Sequence, residues 1–385
     1  MANQVWQNLS PEAQWIWQRP DWPRFTWNID ALGPLLREAN QLQGRLSGKA
    51  DAASTDNSTE SELDALLQNI IESSAIEGEQ LNVSSVRSSL AKRLGLMQVP
   101  LSNVTAQTEG LADLMLDATK NFNAALTEER LFQWHRYLFP DTPEFRLREI
   151  RAGALRGDGP MQVVSGHVGK PVVHFEAPPR QGLENELTAF LRWFAESRTD
   201  IALDPLIRAG IAHLWFVTLH PFEDGNGRLT RAITDLALAQ AENQAIRFYA
   251  MAASIMEQRA GYYDILESTQ KGDLDITRWL AWFLETLKDA IGKAMTRIDH
   301  VLKKARFWQS HSQDRLLPEQ SKVLNRLLDA GPQGFEGGLS AAKYQSLAKV
   351  SKATATRHLS DLLEKKCLVK LEGGGRSTRY EIDWA

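Results

Sequence analysis

Residues 220–231 read HPFEDGNGRLTR, that is His220-Pro221-Phe222-Glu223-Asp224-Gly225-Asn226-Gly227-Arg228-Leu229-Thr230-Arg231. Before them, Pro205–Leu219 is mostly apolar and predicts a helix ending at the histidine. Pro221, Gly225 and Gly227 then mark a turn. A second helix is predicted from Asn226, with Arg228 and Arg231 three residues apart on one face. A glycine-rich turn that opens a helix offers unbonded N–H groups to an anion. Two arginines beside that opening suit phosphate oxygens. Asp224 can hold a magnesium ion, which favours carboxylate together with phosphate oxygens. His220 titrates in a range suited to general-base work. These parts describe a nucleotide-phosphate site with a base beside it. The Gly-Lys-Ser/Thr ending of a P-loop is absent.

Outward from that stretch, 80–300 is mainly helical by periodicity. The clearest segments are Ala106–Ala118, Glu128–Leu138, Leu183–Ser197, Asn226–Gln240 and Ile276–Val301. Met161–Phe175 (MQVVSGHVGKPVVHF) holds two β-rich runs around Gly166 and Gly169 and predicts a hairpin. Glu62–Glu77 predicts a helix on a stripe of Leu63, Leu66, Leu67, Ile70 and Ile71, stopped at Gly78. Ser47–Glu60 is small and polar and predicts a flexible loop. A helix is expected over Ile29–Leu46. Five of the twelve tryptophans (Trp6, Trp15, Trp17, Trp22 and Trp27) precede it, broken by Pro20 and Pro23. Large aromatics bury much area each, so this segment is expected to be an irregular arm anchored on another domain.

The chain of 385 residues suggests two or three domains. Its 43% hydrophobic and 24% charged content excludes a disordered, collagen-like or disulfide-stapled chain. Cys367 is the single cysteine, which leaves no intramolecular disulfide and no zinc site built on several cysteines. No stretch reaches the ~18 uncharged apolar residues of a membrane helix, and no secretory signal is visible. The cytoplasm is the expected compartment, without membrane attachment. Residues 316–385 carry a net +3 and residues 1–315 a net −7, so the C-terminal block permits a nucleic-acid contact.

That block predicts helices Pro318–Leu328, Ser340–Ala348 and Lys352–Lys365, a tight turn near Val350–Ser351, and strands Leu368–Leu371 and Thr378–Ile382. The order is that of a winged helix-turn-helix. Lys352, Thr354, Thr356 and Arg357 would lie on the recognition helix, and Arg376 and Arg379 on the wing. A protein-interaction or dimer module is the other use of such a unit.

His220–Arg231 resembles, position for position, the signature of the Fic (fido) family, H-P-F-x-[D/E]-G-N-G-R-x-x-R. The resemblance implies a mainly α fold: a helical core with a small β-hairpin flap, here followed by the winged helix-turn-helix. It implies a nucleotidyltransferase that moves AMP from ATP to a Ser, Thr or Tyr hydroxyl of a protein, including itself. By position, His220 is the general base, and Asp224 holds magnesium between the α- and β-phosphates. Gly225, Asn226 and Gly227 form the anion hole, and Arg228 and Arg231 meet the β- and γ-phosphates. Glycine at 227 points to AMP transfer, because the kinase-like branch resembling Doc toxins has a lysine there. Ser73-Ser74-Ala75-Ile76-Glu77-Gly78 fits the family's inhibitory-helix pattern, [S/T]-x-x-x-E-[G/N], which assigns Ser73 and Glu77 to inhibition within the chain. Glu77 would occupy Arg231. The hairpin lies where the family places its flap, with Val164, Ser165, Gly166 and His167 near nucleotide and target. Tyr263 and Gln270 resemble the adenine and ribose contacts, whereas Tyr262 reads as a core aromatic and Gln270 stands where relatives often have Asn.

On this resemblance, residues 1–60 form a Trp-rich extension and loop. Residues 61–302 form the Fic core, with an inhibitory helix at 62–78, and residues 316–385 form the winged-helix unit. Expected partners are ATP, a hydroxyl-bearing target protein, a second copy of the chain and, through the C-terminal unit, DNA. Two other functions use the same residues. One is a DNA-binding regulator whose core senses nucleotide without turnover. The other is removal of AMP from a modified target, with Glu77 positioning water.

Overall fold

A computed structural model describes residues 14–51, 55–96, 104–146, 150–167, 170–244, 248–330, 335, 337–371 and 378–384. The chain divides into two compact units, Met1–Gly48 with Ser54–Gly292, and Lys49–Ala53 with Lys293–Ala385. The division falls inside a long helix rather than in a linker.

The first unit begins with a short 3-10 turn, Ile16–Gln18, followed by α1 (Ile29–Asp51), α2 (Thr55–Ile76), α3 (Val83–Arg93), α4 (Ala106–Lys120), α5 (Glu128–Leu138) and the single turn α6 (Pro143–Arg146). The hairpin β1 (Gln162–His167) and β2 (Lys170–Glu176) comes next. Then follow α7 (Leu183–Glu196), α8 (Pro205–Leu219), α9 (Asn226–Glu242), α10 (Met251–Glu257), α11 (Arg259–Gln270) and the start of α12 (Thr277–Ser310). The last residues of α1 and the far end of α12 belong to the second unit.

Helix α8 lies at the centre. Every residue from Leu206 to Leu219 is buried, so the helix is packed on all sides rather than amphipathic, with Arg208, His213 and Thr218 the polar side chains inside it. Asp204 caps it by accepting from the Leu206 N–H at 2.8 Å, and Pro205 sits at its first position, where no donor is lost. It ends at His220, which takes a left-handed φ of 49°. Helix α9 packs beside it and is buried from Arg228 to Ala239. Gly225, at φ 79°, turns the chain into α9. A Cβ there would meet Phe139 at 2.9 Å and Leu138 at 3.0 Å, so both conformation and space demand glycine.

The expected loop over Ser47–Glu60 is corrected. Helix α1 continues to Asp51 and α2 begins at Thr55, with 52–54 outside the described residues. Small polar residues without proline tolerate a solvated helix, and Lys49 is tied to Asp299 Oδ2 at 2.6 Å within the second unit. Helices α2 and α12 likewise run longer than their apolar stripes predict.

The Trp-rich arm packs as expected. Trp15 and Ile16 are buried, and Trp15 meets Phe175 of β2 edge-on at 5.4 Å. Trp17 Nε1 donates to the Glu176 carbonyl at 2.7 Å and Trp22 Nε1 to Glu186 at 3.1 Å. The Thr26 N–H donates to the Leu274 carbonyl, and the Thr26 carbonyl accepts from Ile276. Trp6 lies outside the described residues.

The hairpin appears where the glycines placed it. Strands β1 and β2 are antiparallel, from Gln162 opposite Glu176 to His167 opposite Lys170, with an irregularity between Val163 and Val164.

In the second unit, α13 (Pro318–Leu328), α14 (Ala341–Ala348) and α15 (Lys352–Glu364) precede an antiparallel pair, β3 (Leu368–Lys370) and β4 (Tyr380–Ile382). Its core includes Val323, Leu328, Tyr344, Ala355, Leu359 and Cys367. Ser351 caps α15 by accepting from the Thr354 N–H. Lys352, Thr356 and Arg357 are exposed on α15, whereas Thr354 is half-buried. Arg379 donates to the Gly337 carbonyl at 3.1 Å, and Arg376 lies outside the described residues. No described helix is long and apolar enough to cross a membrane.

Candidate active site

A cavity of about 570 Å³ opens where the α8–α9 turn meets α11, the hairpin and the end of α2. His220, Asp224, Gly225, Asn226 and Gly227 form one wall. Val164 and Ser165 come from β1, Tyr263 and Gln270 from α11, and Glu77 from beyond α2. Gly166 and His167 continue β1, opposite Pro171 and Lys170. Ten of the fifteen site residues singled out in the sequence thus line one cavity, and Arg228, Arg231 and Ser73 are buried beside it.

The His220 tautomer follows from its partner. Its Nδ1 lies 3.1 Å from the Val217 carbonyl, which can only accept, so Nδ1 carries the hydrogen. Nε2 keeps its lone pair, the form a general base needs. Burial lowers the pKa of His220 below the usual histidine value. Arg156 adds to the lowering, and the Val217 carbonyl, Glu77 and Asp224 oppose it.

The turn is held by its own side chains. Asn226 accepts from the Phe222 N–H at 2.9 Å and donates to the Phe222 carbonyl at 2.8 Å. Its side chain therefore closes the turn and is not available to an anion. His135 of α5 supports the same turn. Its Nδ1 accepts from the Gly153 N–H at 2.8 Å, so its Nε2–H donates to the Asp224 carbonyl at 3.2 Å. The ring stacks on Phe222 at 4.3 Å, and burial pushes its pKa down to about 4. Asp224 is exposed toward the cavity, with Arg228 at 3.9 Å. An exposed carboxylate beside a helix N-terminus and an arginine is a donor set that fits magnesium carrying phosphate.

Both arginines are occupied by carboxylates. Arg231 donates to Glu77 at 2.8 Å, and to the Ser73 hydroxyl and carbonyl at 2.7 Å each. Burial alone would raise the Glu77 carboxyl pKa, but Arg231, Arg228 and His220 outweigh it and hold it below the usual glutamate range. Glu77 also lies over the first turn of α9: a Cβ on Gly227 would fall 2.0 Å from its Oε1. A side-chain anion thus occupies this helix N-terminus, whose dipole favours negative charge.

Arg228 donates to Glu79 at 2.6 Å, and Gln107 of α4 holds the other oxygen of that carboxylate at 2.7 Å. The sequence reading missed Glu79. Its only signal was a second carboxylate two residues beyond Glu77, past a helix stop, where the path of the chain cannot be read from periodicity. Also missed were His174 and Glu267. His174 joins the Ser165 hydroxyl at 2.6 Å and Glu267 at 2.7 Å, tying β1 to α11.

Tyr262 is a core residue, as expected. It is buried, with its hydroxyl 3.0 Å from His213 Nε2. Tyr263 is half-buried and its hydroxyl donates to the Ile76 carbonyl at 3.3 Å, beside Arg259, which donates to the same carbonyl at 2.7 Å. Gln270 is buried and donates to Thr218 at 3.2 Å.

Residues 125–238 match the Fic/DOC family, and residues 15–96 match a domain of unknown function (DUF4172). A protein adenylyltransferase fic-1 of Caenorhabditis briggsae is 28% identical over 258 residues, covering 66% of this chain and 45% of that protein. A protein adenylyltransferase Fic of Nematostella vectensis is 28% identical over 237 residues, covering 59% and 49%. The chain thus spans about half the length of these curated relatives. The crystal structure of a Fic family protein from Desulfovibrio desulfuricans aligns with a TM-score of 0.53 at 19% identity, covering 91% of this chain and 95% of that one. That likeness establishes a shared fold.

Proposed function

We propose that this chain, whose residues 125–238 belong to the Fic/DOC family, transfers AMP from ATP to a hydroxyl side chain of a protein, and that Glu77 restrains it. The supporting observation is the meeting, in one cavity, of a histidine with a free Nε2 and a helix N-terminus backed by two arginines. In this reading His220 Nε2 takes the proton of the target hydroxyl. The hydroxyl oxygen bonds to the α-phosphorus, and the bond to pyrophosphate breaks, its electrons leaving with pyrophosphate. The first N–H groups of α9, with Arg228 and Arg231, balance the phosphate charge once Glu77 and Glu79 move away. Asp224 would hold magnesium, which when bound neutralises phosphate oxygens. Tyr263 and Gln270 would line the nucleoside end, and β1 would hold the target segment. Ser73 would serve inhibition by fixing Arg231 for Glu77.

The experiment uses ATP labelled at the α-phosphate, with magnesium and a cell extract. Wild type, Glu77→Gly and Glu77→Gly with His220→Ala run together. Label entering protein, more with Glu77→Gly and none without His220, is expected. If no form transfers label although ATP binds, the proposal fails. Loss of AMP from a previously labelled protein, dependent on Glu77, would instead support the reverse reaction.

Residues 316–385 fit a winged helix-turn-helix by element order, and the exposed Lys352, Thr356 and Arg357 would face DNA. Fluorescence anisotropy with duplex DNA at two salt concentrations tests this. Salt-sensitive binding that Arg357→Glu abolishes is expected.

A further inference from the structure

Arg156 is 2% exposed, and among the described residues no carboxylate pairs with it. Its Nε donates to the His220 carbonyl at 2.9 Å and its Nη2 to the Pro178 carbonyl. Its own N–H donates to the Pro221 carbonyl at 3.0 Å, and its carbonyl accepts from Arg180 Nε at 2.8 Å. Its Nη1 has no partner among the described residues. One buried side chain thus joins three segments: the stretch before β1, the turn after β2 and the His220 loop.

A buried charge without a counter-ion is expensive to keep. Two backbone carbonyls alone do not require one. What sets these contacts apart is the conformation they hold. His220 sits at a left-handed φ of 49°, which β-carbon-bearing residues rarely adopt, and its ring direction depends on that backbone. The guanidinium Nε donates to the carbonyl of that residue, and the Arg156 backbone N–H donates to the next carbonyl.

We infer that Arg156 is a positioning residue for His220, locking the left-handed backbone that aims the imidazole Nε2 into the cavity. This rests on His220 being the base of the proposed transfer. The charge acts in the same direction. Glu77 from the end of α2 and Asp224 from the turn before α9 both favour a protonated imidazole, while Arg156 favours the neutral base.

The test compares Arg156→Gln and Arg156→Lys in the Glu77→Gly chain. Three quantities are read: kcat and KM for ATP, thermal midpoint, and the ¹⁵N imidazole spectrum of His220, identified by its loss in His220→Asn. Arg156→Gln is expected to lower kcat by about 10²-fold, with KM within about twofold, and to replace the single Nδ1–H tautomer by an exchanging mixture. Arg156→Lys keeps the charge and one contact. It should recover about tenfold of the lost kcat and most of the tautomer signal. An unchanged tautomer and kcat in both variants overturns the inference, as does a loss of activity that only follows the loss of folded protein. Should the glutamine variant not fold, the lysine variant decides alone: kcat about tenfold below its parent at unchanged KM supports it, and an unchanged kcat refutes it. If the parent transfers no AMP, the proposed function fails, and the imidazole spectrum still decides the role of Arg156.

Discussion

Emptying the Glu77 position should tighten ATP binding, and its geometry sets the size of the effect. Glu77 Oε1 lies 2.8 Å from Arg231 Nη2 and over the first turn of α9. An incoming phosphate must displace this carboxylate or sit beside it. Two like charges about 4 Å apart repel by about 4 kcal/mol at an effective dielectric of ~20. The Glu77 side chain is 33% exposed, so solvent screening halves this to about 2 kcal/mol. That corresponds to roughly 30-fold in affinity. The variant should also be slightly less stable. An ion pair of this exposure is worth about 1 kcal/mol, and Arg231 keeps both Ser73 contacts. Calorimetric titration with ATP and magnesium in a His220→Ala chain separates binding from turnover. The expected order of affinity is Glu77→Gly, then Glu77→Gln, then the parent, because glutamine removes the charge and leaves the bulk. The reasoning is refuted if Glu77→Gly binds ATP no more tightly than its parent.

Three further outcomes follow from the same contacts. Glu79→Gln should raise ATP affinity about threefold to tenfold by freeing Arg228, and should add to the Glu77 effect in the same titration; a fall in affinity would mean that Glu79 orients Arg228 rather than competing for it. Trp15→Ala removes a buried ring from under the hairpin, a loss of about 3–5 kcal/mol for a fully buried tryptophan; it should speed hydrogen exchange across β1 and β2 while leaving α8 protected, and unchanged hairpin exchange would show that the arm does not anchor it. His135 is held neutral, with a pKa of about 4 against an ordinary 6.5, so the unfolded chain binds more protons between these values and stability falls as pH drops through that window. About 2 kcal/mol should be lost between pH 7 and 5 on this account. His135→Gln should flatten that part of the urea-midpoint profile, and buried His213, also shifted down, to about 3, should keep its share. An unaltered slope would remove His135 from the account.

Local chemistry was enough for most of the helices and for the residues that meet in the cavity. A proline and aspartate starting α8, a mostly apolar run through it, and a glycine turn opening α9 are each written in the local sequence, and each is a short-range physical constraint. The same holds for the hairpin between two β-rich runs, and for Gly78 ending the helical path beyond α2, where it takes a left-handed φ of 80°. The Ser47–Glu60 loop was misread because a polar stretch without proline satisfies a solvated helix as well as a loop, and local composition does not separate the two.

The state of the site was decided by tertiary structure. Glu77 reaches Arg231 across 154 residues, Glu79 reaches Arg228 across 149, and Arg156 reaches the His220 carbonyl across 64. No periodicity links such partners, since their meeting depends on how α2, α4 and the segment before β1 pack around α9. The sequence by itself determined which groups are proposed to bind phosphate and move a proton. Only the packed structure decided that both arginines are held by carboxylates and that His220 is gripped through its backbone, because burial and direction arise when distant segments exclude water together.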